Sequence, residues 1–273
     1  MARPVAAVAV LCAVAALSAG CSATPTPTGP APVTETAAPR PTVSARPTGT
    51  AASARPTDEA TPAFTVAGDN PVTPNGSQDT AAVTPGAVCD SDQLKADQSL
   101  GASIADGFSV EGFPAASALL AHFLAGTGTE IDYRLGSSIS DQAQASAGFQ
   151  TVNALVQEEI AAQLRDGGTR VTLAAGQLPT VLFGSKASDL YWGFRGTQGL
   201  AVSGSGRRAN GRYAGTLTYV IRDSYGFPAD DTLDGFGPPM RYLQTVCGAP
   251  QHPGGARWFP DAITVRVPFS AAG

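Results

Sequence analysis

The chain has 273 residues, a formal net charge of −5 and 43% hydrophobic residues. The length is enough for a domain that buries a real core. The acidic balance excludes nucleic acid as the main ligand, because such proteins carry a basic excess on the binding domain.

One early cation, Arg3, precedes an apolar run from Val5 to Leu17. A membrane-spanning helix needs about 20 apolar residues, so this run has the length of a signal-peptide core. Residues 1–20 read as a signal peptide. The stretch Ser18-Ala19-Gly20-Cys21 resembles the bacterial lipobox, with Ser18 where that family usually has leucine and Leu17 one residue further back. The resemblance implies lipid attachment at Cys21 and a place on the extracytoplasmic face of the cell membrane, lipid-anchored. The membrane is then a partner through the anchor. The bias to Ala, Gly and Pro, with 15 arginines against two lysines, resembles actinobacterial proteins.

Residues 21–88 change character. They hold 12 of the 22 prolines and one aromatic residue, Phe64. Ser44-Ala45-Arg46-Pro47-Thr48 recurs as Ser53-Ala54-Arg55-Pro56-Thr57. Such a chain buries too little apolar surface to offset its conformational entropy. It reads as a disordered Pro/Thr/Ala-rich tether, reaching roughly 200 Å when extended as polyproline II.

Residues 89–273 hold the remaining aromatic residues and read as a single globular domain. Cys89 and Cys247 are the cysteines left after Cys12 departs with the signal and Cys21 is lipidated. In an exported protein such a pair reads as a disulfide, which leaves no cysteine as nucleophile or zinc ligand.

Pro114 suits a first helical position and Gly126 the residue past the end, with Leu119, Leu120, Phe123 and Leu124 at helical spacing. Thr129–Leu135 alternates as a strand with Asp132 and Arg134 on its wet face. Phe149, Val152, Leu155, Val156 and Ile160 mark an amphipathic helix that stops near Gly167. Arg170–Leu173 is a short strand. Leu190–Ser203 reads as a strand interrupted by glycines. Tyr213, Leu217, Tyr219 and Ile221 share one strand face, and Ser205–Gly211 is the hairpin connection before it. Ile263, Val265, Val267 and Phe269 mark a last strand. The fold class is α+β, with N-terminal helices packed on a mainly antiparallel sheet. A curved sheet of the NTF2-like kind is one architecture that fits.

Standard catalytic patterns are missing. Neither His122 nor His252 has a metal-spaced partner, and no nucleophile elbow or phosphate loop is complete. Glu158 and Glu159 point about 100° apart on their helix and cannot face each other as an acid/base pair. No cofactor is implied. Mixed chemistry sits in Arg222-Asp223-Ser224-Tyr225-Gly226-Phe227, followed by Asp230, Asp231, Asp234 and His252 in Gly/Pro-rich loops. The Asp223-Ser224-Tyr225 element resembles the catalytic stretch of colicin M-type toxins, which cleave a lipid-linked peptidoglycan precursor. Gly226 stands where that family has its second aspartate, and its following His-Arg is absent. Arg207, Arg208 and Arg212 cluster at the hairpin tip, and guanidinium groups take phosphate in bidentate fashion. Two functional readings follow. One is a non-catalytic envelope module that binds a partner protein, a cell-wall polymer or an apolar ligand. The other is an envelope hydrolase using Asp223, Tyr225 and His252.

Overall fold

The first strand lies inside the stretch read as tether. The computed structural model describes residues 63–71, 83–228 and 235–273, and in it Phe64–Asn70 forms β1. Phe64 and Val66 are buried while Thr65 and Ala67, which alternate with them, are exposed. β1 pairs with β3 and β4, so the sheet takes in residues that precede Cys89. β1 contributes few apolar side chains and draws its stability from the strands on both sides, so composition alone did not mark it. The signal segment 1–20, Cys21 and the tether outside 63–71 and 83–88 lie outside the described residues.

The helices begin where the side chains can satisfy their free amides. In α1 (Ser91–Val110) the Asp90 carboxylate accepts from the amides of Asp92 and Gln93, both at 2.9 Å. α2 (Pro114–Leu124) starts on a proline and is capped from afar, since the Asp189 carboxylate accepts from Ala115 N at 3.1 Å and Ala116 N at 2.8 Å. β2 (Ile131–Tyr133) follows. Ser137 and Ser146 cap α3 (Ser138–Ala145) and α4 (Ala147–Arg165). On α4 the buried line Phe149, Val152, Val156, Ile160 and Leu164 recurs at helical spacing.

After β3 (Arg170–Leu173) the structure departs from the expected long strand at Leu190–Ser203. Its first half is instead a short helix, α5 (Asp189–Phe194), whose Ser188 side chain accepts from Leu190 N at 3.1 Å. The aromatic residues there favour strand locally, but the cap and tertiary packing decide. β4 (Gly199–Ala209) and β5 (Arg212–Tyr225) then run the full length of the hairpin. The connection is Asn210-Gly211 alone, with φ of 51° and 71°, the left-handed pair that a two-residue turn requires. α6 (Gly237–Thr245), opened by two prolines, and β6 (Phe259–Ala272) complete the chain.

The sheet order is β2-β6-β5-β4-β1-β3. β1–β4, β4–β5 and β5–β6 are antiparallel, and the short outer strands β2 and β3 pair parallel with β6 and β1. This is the expected α+β arrangement. One face carries the core. Phe149 of α4 meets Tyr219 edge-on at 5.1 Å, and Phe123 of α2 meets Tyr225 at 6.1 Å. α1 packs on α2 and α6. Cys89 and Cys247 are bonded, with Cα atoms 5.0 Å apart, and so join the start of α1 to the end of α6 across 158 residues. Asp90 N donates to the Tyr242 hydroxyl beside them at 2.9 Å.

The outer edge of β3 is closed by one side chain. Gln163 Nε2 donates to Thr172 O, and its Oε1 accepts from Thr172 N, both at 3.3 Å. The amide thus takes the place of a further strand at that rung.

Candidate functional site

The other face of the sheet is open. Strand alternation sends Arg207 and Arg212 to this face and Arg208 to the core face, where its guanidinium lies 5.2 Å from the Tyr213 ring centre. The cluster read from sequence is therefore divided. Register brings two further arginines to the open face. Arg266 on β6 pairs with Thr218, whose other neighbour Ser203 lies on β4. Arg170 on β3 pairs with Thr65, whose other neighbour is Ser205. All four arginines are exposed.

Between and around them this half of the sheet presents serine, threonine, alanine and Pro268, with no acidic side chain among the described residues. Arg212 donates to Ser270 Oγ at 3.2 Å. Among the described residues, acidic side chains on the open face lie toward the other end of the strands, where Asp69 takes Arg222 at 2.6 Å and Asp132 takes Arg134 at 3.5 Å. A shallow concavity of about 390 Å³ lies between the two halves, over β1, β4 and β5, with Ala67, Ala201, Ser203, Thr218 and Val220 in its lining.

This face suits an extended anionic ligand. Guanidinium groups offer paired donors to phosphate or carboxylate. The short side chains between them leave the backbone plane flat and their hydroxyls available as hydrogen-bond partners. The hairpin cluster was legible in the sequence. Arg170 and Arg266 were not, because strand order and register place them.

The proposed acid/base residues stand elsewhere. Asp223 and Tyr225 face the core, at 7% and 8% exposure. Asp223 sits directly across from Asp261 on β6, and Tyr225 across from Phe259, with which it stacks at 5.3 Å. His252 is half-buried in the loop after α6, and its carbonyl accepts from Gly255 N at 3.0 Å. That loop is held to α1 by Gln98, whose side chain donates to Gly254 O. Asp230, Asp231 and Asp234 lie outside the described residues. His122 closes the last turn of α2. Its Nε2 lies within hydrogen-bond reach of Thr129 O at 2.9 Å and of the Thr127 and Thr129 hydroxyls at 3.1 Å.

The residue across from Asp223 is a second buried acid. Asp261 is 2% exposed, and burial first, then the charges of Asp223 and Glu130, hold its carboxyl well above the usual carboxylate range. The Tyr133 hydroxyl on β2 is pushed up to about 12 by burial, then by Asp261 and Asp189. Sequence reasoning missed Asp261, which reads as one polar residue at the start of a strand. Among the described residues no group of His, Cys, Asp or Glu is arranged to hold a metal ion. No family model, curated protein or solved structure matches the chain.

Proposed function

We propose that the protein is a lipid-anchored envelope protein whose domain binds a phosphodiester cell-wall polymer on the arginine half of its open sheet face. The observation that carries this reading is the placing of Arg170, Arg207, Arg212 and Arg266 on one exposed surface with no acid on that half of the sheet among the described residues. The chain as a whole is acidic, so this surface is local and directional rather than a general stickiness. A polymer is favoured over a small anion because the four cations are spread over several strands rather than gathered in a closed pocket. The lipobox-like Ser18-Ala19-Gly20-Cys21 and the proline-rich arm supply the anchor and the reach to the wall.

The test is direct binding of the full chain to poly(glycerol phosphate), with neutral dextran as reference. Binding that weakens steeply from low to physiological salt supports the reading, because exposed ion pairs are screened over about 8–10 Å. Equal binding to dextran, or salt-independent binding, contradicts it. Binding to anionic vesicles but not to the polymer would assign the face to lipid headgroups instead. Incorporation of a labelled lipid precursor into wild type, lost in Cys21→Ala, tests the anchor.

A further inference from the structure

The arginines of the open face are arranged in a line. Arg212 stands level with Ala209 on β4, and Arg207 lies two residues away on that strand. Ser205, two residues further again, is level through Thr65 with Arg170. Arg212, Arg207 and Arg170 thus mark an oblique track across β5, β4, β1 and β3. With strands about 4.8 Å apart and a rise of about 3.3 Å per residue, the track is roughly 20 Å long. Arg266 stands off it, on β6 beside Thr218.

The shallow concavity lies along one side of this track. Thr172, Ala67, Ser203 and Thr218 form the row two residues beyond Arg170, Thr65 and Ser205, and Asp69, Ala201 and Val220 form the row after it. Both rows line the volume of about 390 Å³. A step of two residues is about 7 Å, so the concavity is one side group away from an anion held on the track.

Its chemistry suits a neutral, hydroxylated group. Ala67, Ala201 and Val220 give an apolar floor, and Thr172, Ser203 and Thr218 bring hydroxyls to it. The carboxylate in its lining, Asp69, is taken by Arg222 at 2.6 Å. A sugar ring presents the matching surfaces, C–H groups on its faces and hydroxyls at its edge. An open depression holds a free sugar poorly, because small-ligand sites bury most of their ligand's surface. A sugar carried by a chain already bound meets the same depression at high effective concentration.

Resting on the assignment of a phosphodiester polymer to the arginine face, we propose that the concavity is a subsite for glycosyl substituents of that polymer. Phosphates lie along Arg212, Arg207 and Arg170, and a sugar on the linker between two of them turns toward Ser203 and Thr218. The domain then prefers a glycosylated chain to a bare one.

The experiment compares the affinity of the full chain for poly(glycerol phosphate) with and without glucosyl groups on its glycerol hydroxyls, at one low salt concentration and equal phosphate. Wild type should bind the glucosylated polymer about tenfold more tightly, the factor expected when one or two hydrogen bonds are added to a chain already held. Ala201→Leu, which fills the floor, should bring that ratio to about one. Thr218→Val keeps the shape, removes a hydroxyl and should lower the ratio, and it decides the matter if Ala201→Leu fails to fold. Arg207→Ala should weaken binding of both polymers and leave the ratio near its wild-type value. Equal wild-type affinity for the two polymers, or a ratio unchanged in the concavity variants, overturns the subsite and leaves polymer binding standing. Binding to neither polymer overturns the polymer assignment and the subsite with it. A preference for alanyl-esterified polymer over the glucosylated one would give the concavity to an ammonium group beside Asp69, and overturns the glycosyl proposal.

Discussion

Replacing Phe64 by alanine should destabilise the domain by about 4 kcal/mol, within the range for emptying a fully buried phenylalanine site. The magnitude rests on three features. Phe64 is 1% exposed. It meets Tyr213 edge-on at 5.7 Å and Phe269 at 5.6 Å, contacts that add to burial alone. It also lies against Gly206, where a Cβ would stand 2.5 Å from the ring, so the pocket is already filled to contact. For a domain of this size the loss corresponds to roughly 8–16 °C in Tm. Urea unfolding followed by circular dichroism measures it, with Thr65→Ala, one residue along on the exposed face, as a reference that should stay within about 0.5 kcal/mol. A chain beginning at Val83 would lose β1 entirely. It would leave β3 without its one pairing among the described residues and should not unfold cooperatively. If Phe64→Ala matches Thr65→Ala, or the shortened chain melts at the wild-type midpoint, β1 is not part of the cooperative unit.

Other outcomes can be read from the same structure. Cys89→Ser should cost about 5 kcal/mol as an upper bound, because the cross-link closes 158 residues, and matched denaturation of reduced wild type should give the same loss. Asp97, 4% exposed, has its carboxyl held above the usual range by burial, partly offset by Gln93, whose Nε2 donates to it at 2.6 Å. Its contribution to stability is present in acid and fades as pH rises through its folded-state value. Asp97→Asn should therefore match wild type at pH 3 and exceed it at pH 7, and the reverse order in thermal melts would refute this. Gly148→Ala separates two effects: helix propensity alone predicts a gain of about 1 kcal/mol, whereas a Cβ there would lie 1.9 Å from Leu182 O. The contact should win, with a net loss of about 1–3 kcal/mol in urea unfolding.

What the sequence revealed, and what it withheld, follows from the range of the interactions. The helices at Pro114 and Phe149 and the final strand were legible because their apolar periodicity is local and complete. The Leu190 segment misled because Tyr191 and Trp192 favour strand, while the competing signal is a single serine cap at Ser188. β1 was hidden because Phe64 and Val66 are its two buried apolar side chains, set among prolines and threonines. Arg207 and Arg212 announced a basic hairpin, but alternation removed Arg208 from it, and Arg170 and Arg266 join it through strand order. The Asp223–Asp261 pair depends wholly on the β5–β6 register. No spacing rule within either strand would have found it.

The account of function turns on the open face, and one comparison tests it most directly. Affinity for poly(glycerol phosphate) is measured at one fixed low salt concentration for wild type, for the variant with Arg170, Arg207, Arg212 and Arg266 all changed to alanine, and for Arg208→Ala. These are exposed side chains, so all three proteins should fold alike by circular dichroism. The four-fold variant should lose binding by at least about a hundredfold, taking about 0.7 kcal/mol or more for each exposed cation. Arg208→Ala, changed at the same hairpin but on the other face, should bind like wild type. Equal affinity of wild type and the four-fold variant, or an equal loss in Arg208→Ala, would contradict the assignment of polymer binding to this face.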